Sequence, residues 1–113
     1  MVGCCPMDIL HFIANFFEGC FLCNCIPHLT SGLRGESFPT PFARPSGVGL
    51  SSPLVNFLWG TLNFMIGMLL VSYLPVVIGI NIEAALFMAG FIIIGIFNSC
   101  HFGKVRRKHS KPV

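Results

Sequence analysis

No charged side chain lies between Arg44 and Glu83, and none lies between Glu83 and Lys104. Each interval can hold the roughly 20 consecutive apolar residues that cross a hydrocarbon core. A soluble domain carries about 25% charged residues. This chain of 113 residues carries 10%, against 54% hydrophobic. So few charges cannot clothe a water-facing surface, and a bilayer removes the need for one. The length allows one domain.

Ser51, Ser52 and Pro53 open the first uncharged interval. A serine N-cap followed by proline at the first helical position marks a helix start. Pro75 marks its end, so a helix is expected over residues 53–74, long enough to span. Residues 75–81 read as a tight apolar turn. A further helix is expected over 82–102, closed by Gly103 and the basic tail 103–113. Upstream, residues 7–27 are apolar but carry Asp8, His11, Asn15 and Glu18. Pro6 and Asp8 suit the start of a helix and Pro27 its end. A span is preferred there to a helix lying in the interface, because such a helix needs a basic face that this segment lacks. The expected fold is all-α, a single membrane domain of three transmembrane helices with a Pro/Gly-rich loop over 28–52.

In that loop Pro39, Pro41 and Pro45 fix φ and remove donors, while Gly32, Gly35, Gly47 and Gly49 loosen the backbone. Neither helix nor strand is expected to survive this density of breakers. Loops of this length tend to be functional or disordered, and Phe38, Phe42 and Leu50 predict that it dips into the headgroup boundary.

All seven Lys and Arg residues fall in the loop or the tail: Arg34, Arg44, Lys104, Arg106, Arg107, Lys108 and Lys111. With three spans these two regions share a side, which the positive-inside rule assigns to the cytoplasm. With two spans they would be separated. The basic tail is therefore read as a topological marker, and no nucleic-acid partner is expected. Residues 1–30 lack the positive n-region of a cleaved signal peptide.

Polar residues inside the spans are spaced helically. His11, Asn15 and Glu18 share one face, as do Asn56, Gly60, Asn63 and Gly67. Small residues let helices approach closely, and asparagine bonds across the gap. This predicts an intramembrane polar seam of His11, Asn15, Glu18, Asn56 and Asn63. Antiparallel packing in the same slab pairs Glu18 with Asn63 and Asn24 with Asn56. Ala85, Ala89, Gly95 and Ser99 are the expected contact positions on the last helix. Glu18 is read as a protonated side chain making one interhelical hydrogen bond, with a proton or ion path as the alternative.

Cys20, Cys23 and Cys25 with His28 form a candidate metal cluster, short of a closed zinc site unless Cys100 or His101 joins. Against this, free cysteine packs as a small hydrophobe, and no cofactor is expected. Acylation of Cys4 or Cys5 is conceivable, although their expected side is wrong for it. A candidate anion site combines Arg34 and Arg44 with Gly47, Gly49, Ser51 and Ser52. There the glycine amides form a nest in front of the unpaired N–H groups at a helix start. The alternative is that the serines only cap the helix and the glycines only turn the chain.

The Asn24-Cys25-Ile26-Pro27-His28 stretch, the Phe-Pro-Thr-Pro-Phe-Ala run at 38–43, the Gly-Val-Gly-Leu-Ser-Ser-Pro run at 47–53, Asn56 and Trp59-Gly60 together resemble a family of small uncharacterised bacterial membrane proteins. The resemblance covers about residues 24–67. It implies a multi-pass protein of a bacterial inner membrane, whose C-terminus the charge pattern puts in the cytoplasm, and transfers no catalytic residue. The expected function is a non-enzymatic interaction or lipid-contacting module touching anionic headgroups, in a homo-oligomer or larger membrane complex. The rivals are a small oligomeric carrier or proton-linked component using Glu18 and His11, and a metal or thiol-redox protein using the cysteine cluster.

Overall fold

The computed structural model describes residues 6–110, in the order α1 (Pro6–Leu33), β1 (Phe38–Pro39), β2 (Leu50–Ser51), α2 (Pro53–Tyr73) and α3 (Ile82–Ser110). Cys4, Cys5 and Lys111 lie outside the described residues. All three helices are long and apolar enough to cross a membrane.

The first helix does not stop at Pro27, which sits inside it. Proline removes one backbone N–H, a loss that membrane helices tolerate where neighbouring helices pack against them. The actual stop is Gly35, which takes the left-handed conformation at φ 72°. Around it the Glu36 amide donates to the Ser31 carbonyl (2.9 Å) and the Gly35 amide to that of Gly32 (3.1 Å). This closing pair satisfies the last carbonyls of the helix.

The second helix starts as its sequence dictates. Ser52 is extended, its hydroxyl accepts from the Val55 amide at 3.2 Å, and Pro53 follows. Asn81 caps α3 in the same manner, accepting from the Ala84 amide at 2.8 Å. That helix runs past Gly103 to Ser110, so the basic stretch expected as a tail is helical. Arg107, Lys108 and His109 fall in its last turn, where cations complement the helix dipole.

Helix α1 lies between α2 and α3, which barely touch each other. Helix α2 runs antiparallel to α1: Gly60 fits against Leu29, and Gly67 against Leu22. The α1–α3 contact is reciprocal. Gly19 faces the backbone of Phe87 and Phe91, and Gly90 faces that of Phe16 and Cys20. A side chain at either glycine would meet main chain that cannot yield.

Polarity is inverted relative to a soluble protein. Among the described residues the buried polar side chains are His11, Asn15, Glu18, His28, Ser31, Thr40, Asn56 and Asn63, and the buried apolar ones are Ala14, Cys23, Cys25 and Val105. Large apolar side chains such as Leu58, Met65, Leu69, Ile93 and Ile96 point outward.

Candidate functional site

Three groups of polar residues are organised along α1. At the loop end, His28 donates from Nδ1 to Asn56 Oδ1 at 2.9 Å. The Asn56 amide nitrogen reaches the Phe38 carbonyl (2.8 Å) and those of Ser51 (3.2 Å) and Ser52 (3.1 Å). At mid-bundle three amides link the three helices. Asn98 donates to Asn24 Oδ1, and Asn24 to Asn63 Oδ1, each at 3.0 Å. At the far end, Asn15 donates to Glu18 Oε1 (3.1 Å) and to the Leu74 carbonyl (3.2 Å). Nearby, His11 donates from Nε2 to the Pro75 carbonyl (2.7 Å) and lies 3.9 Å from Glu83 Oε2.

The seam residues are thus all buried, but in a different register from the one expected. Asn63 meets Asn24 and Asn56 meets His28, while Glu18 turns to Asn15 on its own helix. The cause is the extra turn and a half of α1 beyond Pro27. With Leu29 opposite Gly60 and Leu22 opposite Gly67, Glu18 stands about two turns past the level of Asn63. On α3 the close contact is Gly90, and Ala85 and Ser99 are exposed.

The cysteine cluster does not assemble. Among the described residues no group of three or more His, Cys, Asp or Glu side chains could hold a metal ion. Helical geometry sends the thiols to different partners: Cys20 donates to the Gly90 carbonyl (3.6 Å) and Cys25 to that of Leu22 (3.0 Å). Cys23 packs beside Gly95, and His28 is engaged by Asn56.

The anion nest is also filled from within. A two-residue strand pair does form, β1 against β2 antiparallel, with Phe38 opposite Ser51 and Pro39 opposite Leu50. Inside it Thr40, only 1% exposed, organises the turn. Its carbonyl accepts from the amides of Ala43 (3.1 Å) and Gly47 (2.9 Å), and its hydroxyl bonds Ser51 Oγ at 2.6 Å. The amides of Val48 and Gly49 donate to the Pro45 carbonyl. With Ser52 capping α2, the donors assigned to an anion are already engaged. Arg34 pairs with Glu36 at 2.6 Å, and Arg44 is exposed. Thr40 gave no sequence signal beyond a turn-rich neighbourhood.

The positive charge lies elsewhere, on the helical extension of α3 alongside the hairpin. His101 donates to the Gly47 carbonyl (2.8 Å) and His109 to that of Val48 (2.7 Å), tying the extension to the loop. Phe102 packs on Phe38 with the rings tilted by 53° and centroids 4.7 Å apart, and Val105 is buried against the loop. Between them runs a groove of about 510 Å³ with Phe38, Pro39, Leu50, Phe102 and Val105 on its apolar walls and Glu36, Arg106 and His109 on its polar rim. A second groove on the other flank is lined by Val48, His101, Lys104, Arg107 and Lys108. The Glu36 carboxyl is held below its usual range, first by the hydrogen bond from Arg34, then by that guanidinium's charge, with Arg106 adding a little. Among the described residues Arg34–Glu36 is the one ion pair at this end of the bundle, so Lys104, Arg107 and Lys108 face outward outside any ion pair, and Arg106 acts on Glu36 only from a distance. No protein-family model, curated protein or solved structure matches the chain.

Proposed function

We propose that the chain is a three-span protein of a bacterial inner membrane, with loop and tail cytoplasmic. In this reading it is a non-enzymatic, lipid-contacting module that holds the phosphate of an anionic headgroup against the hairpin and the end of α3. The observation that carries the reading is the groove itself, apolar-walled, with Arg106 on its rim and Lys104, Arg107 and Lys108 on the adjoining flank, at one end of an inverted-polarity bundle. Leu50 and Phe42 stay exposed there at 53% and 64%, and Phe42 packs edge-on against Trp59. Aromatic rings of this kind favour the headgroup level. Phosphate oxygens suit guanidinium donors, and the acyl root suits Leu50 and Phe102.

The test is native mass spectrometry of the protein released from nanodiscs containing phosphatidylglycerol and phosphatidylcholine. A basic side chain near an anionic surface contributes about 1 kcal/mol, roughly fivefold in affinity. Arg106→Ala should weaken retention of the anionic lipid by about that factor, and adding Lys104→Ala, a cation of the adjoining flank, should deepen the loss. Added salt should erase the difference. Equal retention of the same lipid with and without these cations would refute the site.

A further inference from the structure

Glu18 is fully buried, yet its only side-chain hydrogen bond is to Asn15 on its own helix. It therefore does not tie α1 to a neighbour, and helix packing does not account for it. Two oxygens remain without any partner, Glu18 Oε2 and Asn15 Oδ1, on two side chains that touch and are both 0% exposed. An ionised carboxylate and an amide oxygen are both pure acceptors. The pair can satisfy itself only by taking up a hydrogen from outside. No Lys or Arg is at hand, because every one of those described stands at the loop end or on the α3 extension.

The surroundings give this carboxyl one approach. The titratable groups facing it are His11 on α1 and Glu83 on α3. Helix α2 contributes no charged side chain, and its Tyr73 is 80% exposed. From the surface inward the polar atoms follow in order: Glu83, its side chain 18% exposed; His11, 3.9 Å away; the Pro75 and Leu74 carbonyls; Asn15; and Glu18. Beyond Glu18 the sequence of polar groups breaks. The Cys20 thiol turns away to the Gly90 carbonyl on α3, the next amide, Asn24, is six positions on, and Leu22 pressed into Gly67 occupies the interval.

We propose that Glu18 is a reversible proton-binding site, opening only toward the bundle end that carries His11 and Glu83. The proton comes from bulk water at that end, forms the O–H bond at Glu18 Oε2, and returns by the same way. The interruption before Asn24 makes this a one-sided site and not a conducting path. The site is independent of the headgroup groove, which lies at the opposite end.

Infrared difference spectroscopy of the full chain in bilayers tests this. Among the carboxylic C=O bands, one should appear and vanish reversibly with pH, be lost in Glu18→Gln, and persist in Glu36→Gln and Glu83→Gln. After a pH jump the band should lag in His11→Phe, a variant at the rim that leaves the Glu18–Asn15 pair intact. That second measurement carries the test if Glu18→Gln does not fold. A pH-difference spectrum in the carboxylic C=O region that Glu18→Gln leaves unchanged, a Glu18 band present at every pH, or a His11→Phe variant without a lag overturns the proposal.

Discussion

The guanidinium of Arg34, one residue beyond α1, governs how Glu36 titrates. Because the folded-state value of Glu36 is lowered, the pair's contribution is complete above the ordinary carboxylate range. It is lost as pH falls through the lowered value. Both side chains are well exposed, so the contribution to stability is slight. Arg34→Ala should nevertheless let the Glu36 midpoint climb back toward the ordinary range in an NMR titration, and a midpoint that stays put would mean the pair does not persist in solution. At this scale the sequence is readable wherever the chemistry is local. Ser52 and Pro53 mark the start of α2 because cap and first turn lie within four residues of each other. Pro27 misleads for the opposite reason. Whether a proline ends a helix depends on what packs around it, and α1 is held from both sides. Gly35 is the true stop, recognisable only once the carbonyls of Ser31 and Gly32 are known to need partners.

Between elements, the decisive contact is the paired approach of Gly19 and Gly90, where each helix presents bare backbone to the other. Gly90→Ala places a methyl group against the Phe16 carbonyl, and overpacking of this kind costs about 1–3 kcal/mol. Gly95→Ala is the control: its methyl would sit 3.5 Å from the Cys23 sulfur, an ordinary contact. Thermal unfolding in mixed micelles should therefore fall clearly for the first and hardly at all for the second. Equal losses would mean that helix propensity, not interhelical space, sets the outcome. The stripe Asn56, Gly60, Asn63 and Gly67 was readable from spacing because it is the whole buried face of α2. On α3 spacing carries no such information. That helix is apolar on every side, its small residues Ala85 and Ser99 face outward, and the one that matters, Gly90, looks like any other. The groove was beyond reach for a related reason: it exists only because α3 continues through Gly103 and His101 and His109 dock onto loop carbonyls.

For the whole molecule, length and charge support the proposed orientation together. The long axis is 59 Å and the other two are 23 and 22 Å, whereas a bilayer with its headgroups is about 40–45 Å thick. The excess belongs to one end, where the hairpin and the helical extension of α3 stand together with Arg34, Arg44, Lys104, Arg106, Arg107 and Lys108. In the proposed three-span reading the up-down-up course puts the two ends of the chain on opposite sides, and the positive-inside rule would then put the basic end in the cytoplasm. If α1 lay flat on the surface, Asn24 could not bridge Asn63 and Asn98, and the buried Oδ1 atoms of Asn56 and Asn63 would lose the donors that α1 supplies. In a cysteine-free background, Lys108→Cys should resist a membrane-impermeant maleimide on intact cells and react once the cells are opened. A lone cysteine retained at Cys4 should react from outside in both conditions. Labelling at 108 on intact cells with protection at 4 would invert the orientation. Labelling of both, or of neither, on intact cells would mean two spans and remove the premise on which the α1 seam rests.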